Sequence, residues 1–237
     1  MSYETTYYEM ADGEDKFDTF PGSEVVSILK SLHTDTLLDM GCGTGAISEA
    51  LSGVQYVGMD SSEAAIAKAR KRHPKSGFFV SADRVPAKSG SFDAVLMYNS
   101  LEHFINPRYI LSEAVRVLNG EGHLLILCPN HERLFYYRTL APRAFRHKSL
   151  LWQSGFLLRH LWFWFLRKIG FVVFETSDQC ITDQKGIYKR SDDDLRHMVN
   201  PDSVIKFLNN QGLVLVKEQI RKKDMWMALF SHPEQDR

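Results

Sequence analysis

Three glycines at alternate positions, Gly41, Gly43 and Gly45, follow the apolar run Leu37-Leu-Asp-Met40. Glycine turns where other residues cannot, and its missing Cβ lets a ligand come close to the backbone. Asp60 ends the next apolar run, 15 residues after Gly45. A carboxylate at that place can accept hydrogen bonds from both hydroxyls of a ribose. No Lys-Ser or Lys-Thr follows the glycines, which excludes a triphosphate P-loop. The plain alternative is a structural turn beside a helix-capping Asp. Glu102-His103, just after Tyr98-Asn-Ser-Leu, is the next pair able to do chemistry. His103 is the first-choice general base where a hydroxyl must lose a proton. The alternative for this pair is packing of its loop. His131 and Tyr136 are second-rank candidates, with loop surface as theirs.

These residues must be positioned by the elements around them. Thr36–Met40, Tyr56–Met59, Phe78–Val80, Phe92–Tyr98 and His123–Leu127 read as strands. Ala46–Leu51, Ser62–Arg72 and Asn106–Leu118 read as helices, with Pro107 suited to a first turn. Asn119-Gly-Glu-Gly122 reads as a turn. Strands alternating with helices predict parallel βαβ units and a doubly wound α/β sheet, whose ligands sit at the carboxyl ends of the strands. The rhythm stops at Cys128-Pro129-Asn130 and resumes at Asn200-Pro201, a cap followed by a first-turn proline. That helix is expected to reach Asn210, with Gly212 closing it. Leu213–Ile220 and Met225–Phe230 form the last hairpin, joined by the polar turn Arg221–Asp224.

The 237 residues balance 29 basic against 29 acidic side chains, with 44% hydrophobic and 24% charged. Such values exclude a disordered tail, a collagen-like fibre and a disulfide scaffold. Cys42, Cys128 and Cys180 form no C-x-x-C pair, so neither a zinc site nor a disulfide framework is implied. The acidic N-terminus lacks the pattern of a signal peptide, and a cytoplasmic location is expected.

Leu37-Leu-Asp-Met-Gly-Cys-Gly-Thr-Gly45 with Gly58-Met-Asp60 resembles the class I S-adenosylmethionine-dependent methyltransferases. The likeness continues through Val85-Pro-Ala-Lys-Ser-Gly-Ser-Phe-Asp93, Ser100-Leu-Glu-His-Phe104 and Arg116-Val-Leu-Asn-Gly-Glu-Gly-His-Leu-Leu-Ile126. It covers about residues 25–130 and, more loosely, 200–231. It implies a Rossmann-like, seven-stranded sheet, mostly parallel with one antiparallel strand, with a helical insertion after the fifth strand. The cofactor would be S-adenosyl-L-methionine. Gly41, Gly43 and Gly45 would pass close to its methionine and ribose parts, Asp39 would hold the amino-acid end, and Asp60 the ribose diol. Cys42, Ser61 and Asn99 complete the expected cofactor set. Near the adenine, Ser81 stands where the family usually has an Asp, so Ala82 through its N–H and Asp83 through its carboxylate are the candidates. The chain is similar to ubiquinone-pathway and other small-molecule O-methyltransferases. Those of the ubiquinone pathway use a metal-binding Glu three residues before the Glu-His pair. Asn99 occupies that position, and an amide is a poorer ligand for a hard cation, so no essential metal is expected.

The expected organisation is an N-terminal lid segment at 1–24, a cofactor-binding core at 25–129, a basic aromatic lid or substrate insertion at 130–199, and a C-terminal completion of the core at 200–237. Residues 1–24 carry seven acids against Lys16, and Tyr7 or Tyr8 could cap the methionine end. Residues 131–170 carry eight Lys/Arg against Glu132. Treated as a helix, Leu150–Ile169 divides into a basic half and an apolar half. A lid helix, an interfacial helix on an anionic membrane surface, and a tunnel for a lipid-like acceptor all remain open. The acceptor is then a small or lipid-like molecule, methylated on oxygen or, as second choice, nitrogen. Peripheral contact at the inner membrane face goes with it. The rivals are a non-catalytic sensor or scaffold that binds the same cofactor, and an RNA methyltransferase. The neutral net charge and the lack of an Asn/Asp-Pro-Pro-aromatic motif after the fourth strand speak against nucleic acid.

Overall fold

The computed structural model describes residues 17, 21–104, 106–129, 174–176, 197–220 and 225–233, together with six positions between 154 and 165. Seven strands form one sheet: β1 (Thr36–Met40), β2 (Gln55–Asp60), β3 (Gly77–Val80), β4 (Phe92–Tyr98), β5 (Leu118–Pro129), β8 (Val214–Ile220) and β9 (Met225–Ser231). Their order is β3-β2-β1-β4-β5-β9-β8. The first five pair in parallel, and β9 runs antiparallel to both its neighbours. This is the expected doubly wound, Rossmann-like sheet with one reversed strand. The order reverses between β1 and β4, and a doubly wound sheet opens its ligand crevice at such a switch point.

Alternation along the strands fills both faces. Leu38, Val95, Met97, Leu124 and Ile126 pack against α3 (Pro107–Val117) and α4 (Pro201–Asn210). Leu37, Leu96, Leu125 and Leu127 pack against α1 (Gly22–Ser31) and α2 (Glu63–Arg72). Three helices begin at side-chain caps. Ser62 Oγ accepts from Ala65 N at 3.2 Å, Asn106 Oδ1 from Tyr109 N at 3.1 Å, and Asn200 Oδ1 from Ser203 N at 3.2 Å. Pro107 and Pro201 each follow an Asn cap, where the missing proline N–H costs nothing.

Two local expectations change. Ala46–Ala50 is a 3₁₀ helix, tighter than the short helix expected. Asn119–Gly122 is part of β5, because the strand starts early: Leu118 pairs with Phe92, while the next pairing is His123 with Ala94. The intervening residues bulge, with Glu121 N donating to Asn119 Oδ1 at 3.0 Å and Asn119 Nδ2 donating to Asp93 Oδ1 at 2.6 Å. A short antiparallel ribbon, β6 (Phe174–Thr176) with β7 (His197–Val199), stands inside the insertion, and the sequence pattern had not signalled it.

Candidate functional site

β1 delivers Asp39 and then the glycine turn to the switch point. Gly41 N and Cys42 N both donate to Met59 O, at 2.8 and 2.9 Å, which ties the turn to the end of β2. Gly41, Gly43 and Gly45 all have positive φ, at +84°, +54° and +74°. The protein's own packing demands two of them. A Cβ on Gly41 would stand 2.4 Å from Ser100 Cβ, and one on Gly45 2.7 Å from the Phe78 ring. Ser100 is held there because its hydroxyl donates to Met40 O at 2.6 Å.

Asp60 ends β2 beneath this turn. Its Oδ2 accepts from Gly43 N at 2.9 Å and its Oδ1 from Ser62 N at 2.9 Å. Ser62, not Asp60, caps α2, so the helix-cap alternative fails. Both carboxylate oxygens are oriented by backbone, and a carboxylate oxygen can accept more than one hydrogen bond. Asp39 is buried and accepts from Tyr56 Oη through Oδ2 at 2.6 Å. The negative field of these two acids is felt nearby. Burial pushes the Cys42 thiol and the Tyr56 phenol well up, and Asp39 and Asp60 push both further. A negative field of this kind favours a cation.

Ser81 N donates to Asp60 O at 2.9 Å, which starts the loop after β3. Ala82 and Asp83 are exposed on it, and Ser81 turns its hydroxyl to Arg84 O at 2.6 Å. The far side of the loop is locked by α3. Glu113 accepts from Val85 N at 3.1 Å, and Arg116 donates to Val85 O and Ala87 O at 3.0 and 2.8 Å. Arg116 grips Glu113 through two bonds of 2.6 and 2.8 Å.

At the end of β4, Asn99 adopts φ +49°, which non-glycine residues seldom do. Its N–H donates to Leu127 O at 2.7 Å, while its buried Oδ1 has no hydrogen-bond partner among the described residues. Backbone strain combined with an unmet acceptor makes Asn99 a candidate ligand-facing position. The 3₁₀ turn Leu101–His103 follows, and β7 packs against it. Glu102 Oε1 lies 3.9 Å from His103 Nε2, with side-chain exposures of 1% and 25%. His103, not Glu102, therefore reaches solvent. Phe17 sets its ring 5.2 Å from that of Tyr98, at the end of β4.

Residues 38–126 match the family model of the methyltransferase domain. This segment is similar to the class I S-adenosylmethionine-dependent methyltransferases. A demethylmenaquinone methyltransferase of Thermotoga maritima is 31% identical over 139 residues, 53% of this chain and 61% of that protein. A ubiquinone biosynthesis O-methyltransferase of Pseudomonas paraeruginosa is 31% identical over 109 residues, 43% of this chain and 47% of that one. The chain thus spans about half to three-fifths of the curated relatives it matches. A solved structure of a methyltransferase from Aquifex aeolicus superposes with a TM-score of 0.55 at 14% identity, covering 95% of this chain and 97% of the other, which supports the fold.

In the structure Asp39, Gly41, Cys42, Gly43, Gly45 and Asp60 come together at one end of β1 and β2, through the bonds given above and Gly45 N donating to Cys42 O at 2.9 Å. Ser61, exposed, directly follows Asp60. Asn99, Glu102 and His103 stand at the neighbouring end of β4. His131, Tyr136, Tyr7 and Tyr8 lie outside the described residues. Tyr56, Ser100 and the Glu113–Arg116 pair were missed from sequence. A period-2 reading of β2 puts Tyr56, Gly58 and Asp60 on one face, which was the available signal. Among the described residues no three His, Cys, Asp or Glu side chains gather to hold a metal ion, and no helix is long and apolar enough to cross a membrane.

Proposed function

We propose that the protein transfers a methyl group from S-adenosyl-L-methionine to an oxygen of a small or lipid-like molecule. The observation that carries this reading is Asp60, braced by two backbone N–H groups beneath a positive-φ glycine turn at the sheet's switch point. The site suits that cofactor chemically. Asp60 offers oriented acceptors to a ribose diol, and the acidic field of Asp39 and Asp60 suits a ligand with a positive sulfur and an ammonium group. When bound, the cofactor supplies an activated methyl group, and displacement needs only an in-line nucleophile and exclusion of water.

The chain's own residues then divide the work. Asp60 and the Gly41–Gly45 turn bind, and Asp39 orients the amino-acid end. Ala82 and Asp83 edge the adenine position, next to a loop fixed by Arg116. Asn99 Oδ1 accepts a hydrogen bond from the ligand, and His103 Nε2 takes the acceptor's proton. The ubiquinone biosynthesis relative is named for O-methylation, which favours oxygen. No metal is assigned a role, so activity is expected to survive EDTA; loss restored by magnesium would overturn that part. The deciding experiment adds labelled cofactor to purified protein with polar and lipid cell extracts separately. Release of S-adenosylhomocysteine with a product one methyl heavier is expected. Tight cofactor binding with no turnover in any fraction would establish a sensor instead.

One surface supports a lipid-side acceptor. Ser154, Gly155, Leu158, Leu161, Trp162 and Phe165 are helical. Leu158, Leu161, Trp162 and Phe165 follow the i, i+3, i+4, i+7 spacing of one face, and they are 66%, 37%, 60% and 50% exposed. The Trp162 and Phe165 rings stack at 6.1 Å. With eight Lys/Arg against Glu132 in residues 131–170, this face fits an anionic membrane surface. We assign the protein to the cytoplasm, in peripheral contact with the inner membrane face. Salt-sensitive cosedimentation with anionic vesicles, weakened by Trp162→Ser with Phe165→Ser, is expected; equal binding to neutral vesicles, or none, would remove the assignment.

A further inference from the structure

We propose that Tyr56 is a positioning residue that fixes the Asp39 carboxylate for the ammonium end of the methyl donor, an inference that rests on the methyl-transfer reading above. Asp39 stands opposite Gly58 in the β1–β2 register. Because Gly58 has no side chain, the phenol of Tyr56, two residues earlier on the same face, reaches along the strand to Asp39 Oδ2 at 2.6 Å. The space above Gly58 is filled by neighbouring side chains. A Cβ at Gly58 would stand 2.7 Å from Cys42 Sγ and 2.9 Å from the Phe78 ring, so sulfur and ring fill the space above the glycine. The Phe78 ring packs 5.8 Å from that of Tyr56. Both Tyr56 and Asp39 are buried, so water does not compete for the bond.

A neutral donor has a particular merit here. A lysine or arginine at this place would also hold the carboxylate, but it would cancel the charge that an ammonium group needs. The Tyr56 phenol stays protonated because burial, then the charge of Asp39, pushes its titration upward. It therefore donates one bond, arrests rotation of the carboxyl group, and leaves the negative charge in place. The hydroxyl is not needed for the ring packing, so its removal separates positioning from folding.

The test compares two ligands that share the adenosyl group but differ at the far end. S-adenosylhomocysteine carries the ammonium and carboxylate; 5′-methylthioadenosine carries neither. Calorimetric titration of the full chain should show Tyr56→Phe weakening S-adenosylhomocysteine by roughly tenfold while 5′-methylthioadenosine changes by less than about twofold. Asp39→Asn should give the same selective loss, and Tyr56→Phe added to it should cost little more, since both remove one arrangement. Unchanged affinity for both ligands in Tyr56→Phe would overturn the proposal. So would parallel weakening of both, which would mark a structural tyrosine. If Tyr56→Phe does not fold, Asp39→Asn alone decides: equal loss of the two ligands, or no loss, overturns it. Failure of the unaltered protein to bind either ligand would sink the methyl-transfer reading along with it. Normal binding of both, with the Tyr56 result negative, would sink only the positioning role.

Discussion

A carboxylate that is to hold two ribose hydroxyls must itself be held still, and Asp60 is held by Gly43 N and Ser62 N. In the proposed ribose role, removing it would lose charge-assisted bonds to the ligand and free the glycine turn at once. Asp60→Ala is therefore expected to weaken S-adenosylhomocysteine binding by about 1–3 kcal/mol, measured by calorimetry. An unchanged titration would refute the ribose role. His103 makes a separate prediction. As the partly exposed member of the Glu102–His103 pair, it is the group able to meet an acceptor hydroxyl. His103→Gln should lower kcat by about 10²–10⁴-fold on an oxygen acceptor while leaving cofactor affinity intact. A fall in affinity with kcat preserved would make the histidine a packing residue.

At the scale of elements, the junction of β1 and β4 is set by one collision avoided. Gly41 at φ +84° lies where a Cβ would meet Ser100 Cβ at 2.4 Å. Gly41→Ala is expected to cost about 2–4 kcal/mol in urea unfolding, from strained backbone plus overpacking. Adding Ser100→Gly should recover part of that loss, because the collision goes and the strain stays. A double variant no more stable than Gly41→Ala would show that the contact does not matter.

The same scale shows what could be read from residues alone. β1 and β4 were legible to the residue, since Leu37-Leu and Ala94-Val-Leu-Met are runs buried on both faces. α3 and α4 announced themselves through Asn-Pro caps. Asn119-Gly-Glu-Gly122 misled because its turn chemistry is real, as the Glu121 N to Asn119 Oδ1 bond shows, yet it sits as a bulge within a pairing strand. β6 and β7 have three residues each, too few for a periodic signal. In the candidate site, motif and spacing pointed to Asp39, Asp60 and the glycines, and the structure places them at one end of β1 and β2. Neither pointed to Tyr56, because a tyrosine in a strand reads as core until its hydroxyl has a partner.

For the whole molecule, acid should act in two stages, and different layers of the structure carry them. His123 is half-buried at the start of the regular part of β5, and burial pulls its titration below the usual value of 6.5. The native state thus resists a proton that the unfolded chain accepts, so this contribution is full above about pH 6.5 and is lost as the pH falls below it. The carboxylates act later. For Glu113, bonds from Arg116 outweigh burial and hold its titration below 4.5. For Asp93, burial pushes upward, but bonds from Thr36, Asp35 and Asn119 prevail and hold it below 3.8. Their stabilisation is present above those ordinary values and disappears as the pH drops through the lowered ones. Urea midpoints measured from pH 7 to pH 3 should therefore fall in two steps. His123→Asn should flatten the step between about pH 6.5 and 5, and Glu113→Gln should shrink the one below about pH 4.5. An upper step unaltered in His123→Asn would mean that other histidines govern it.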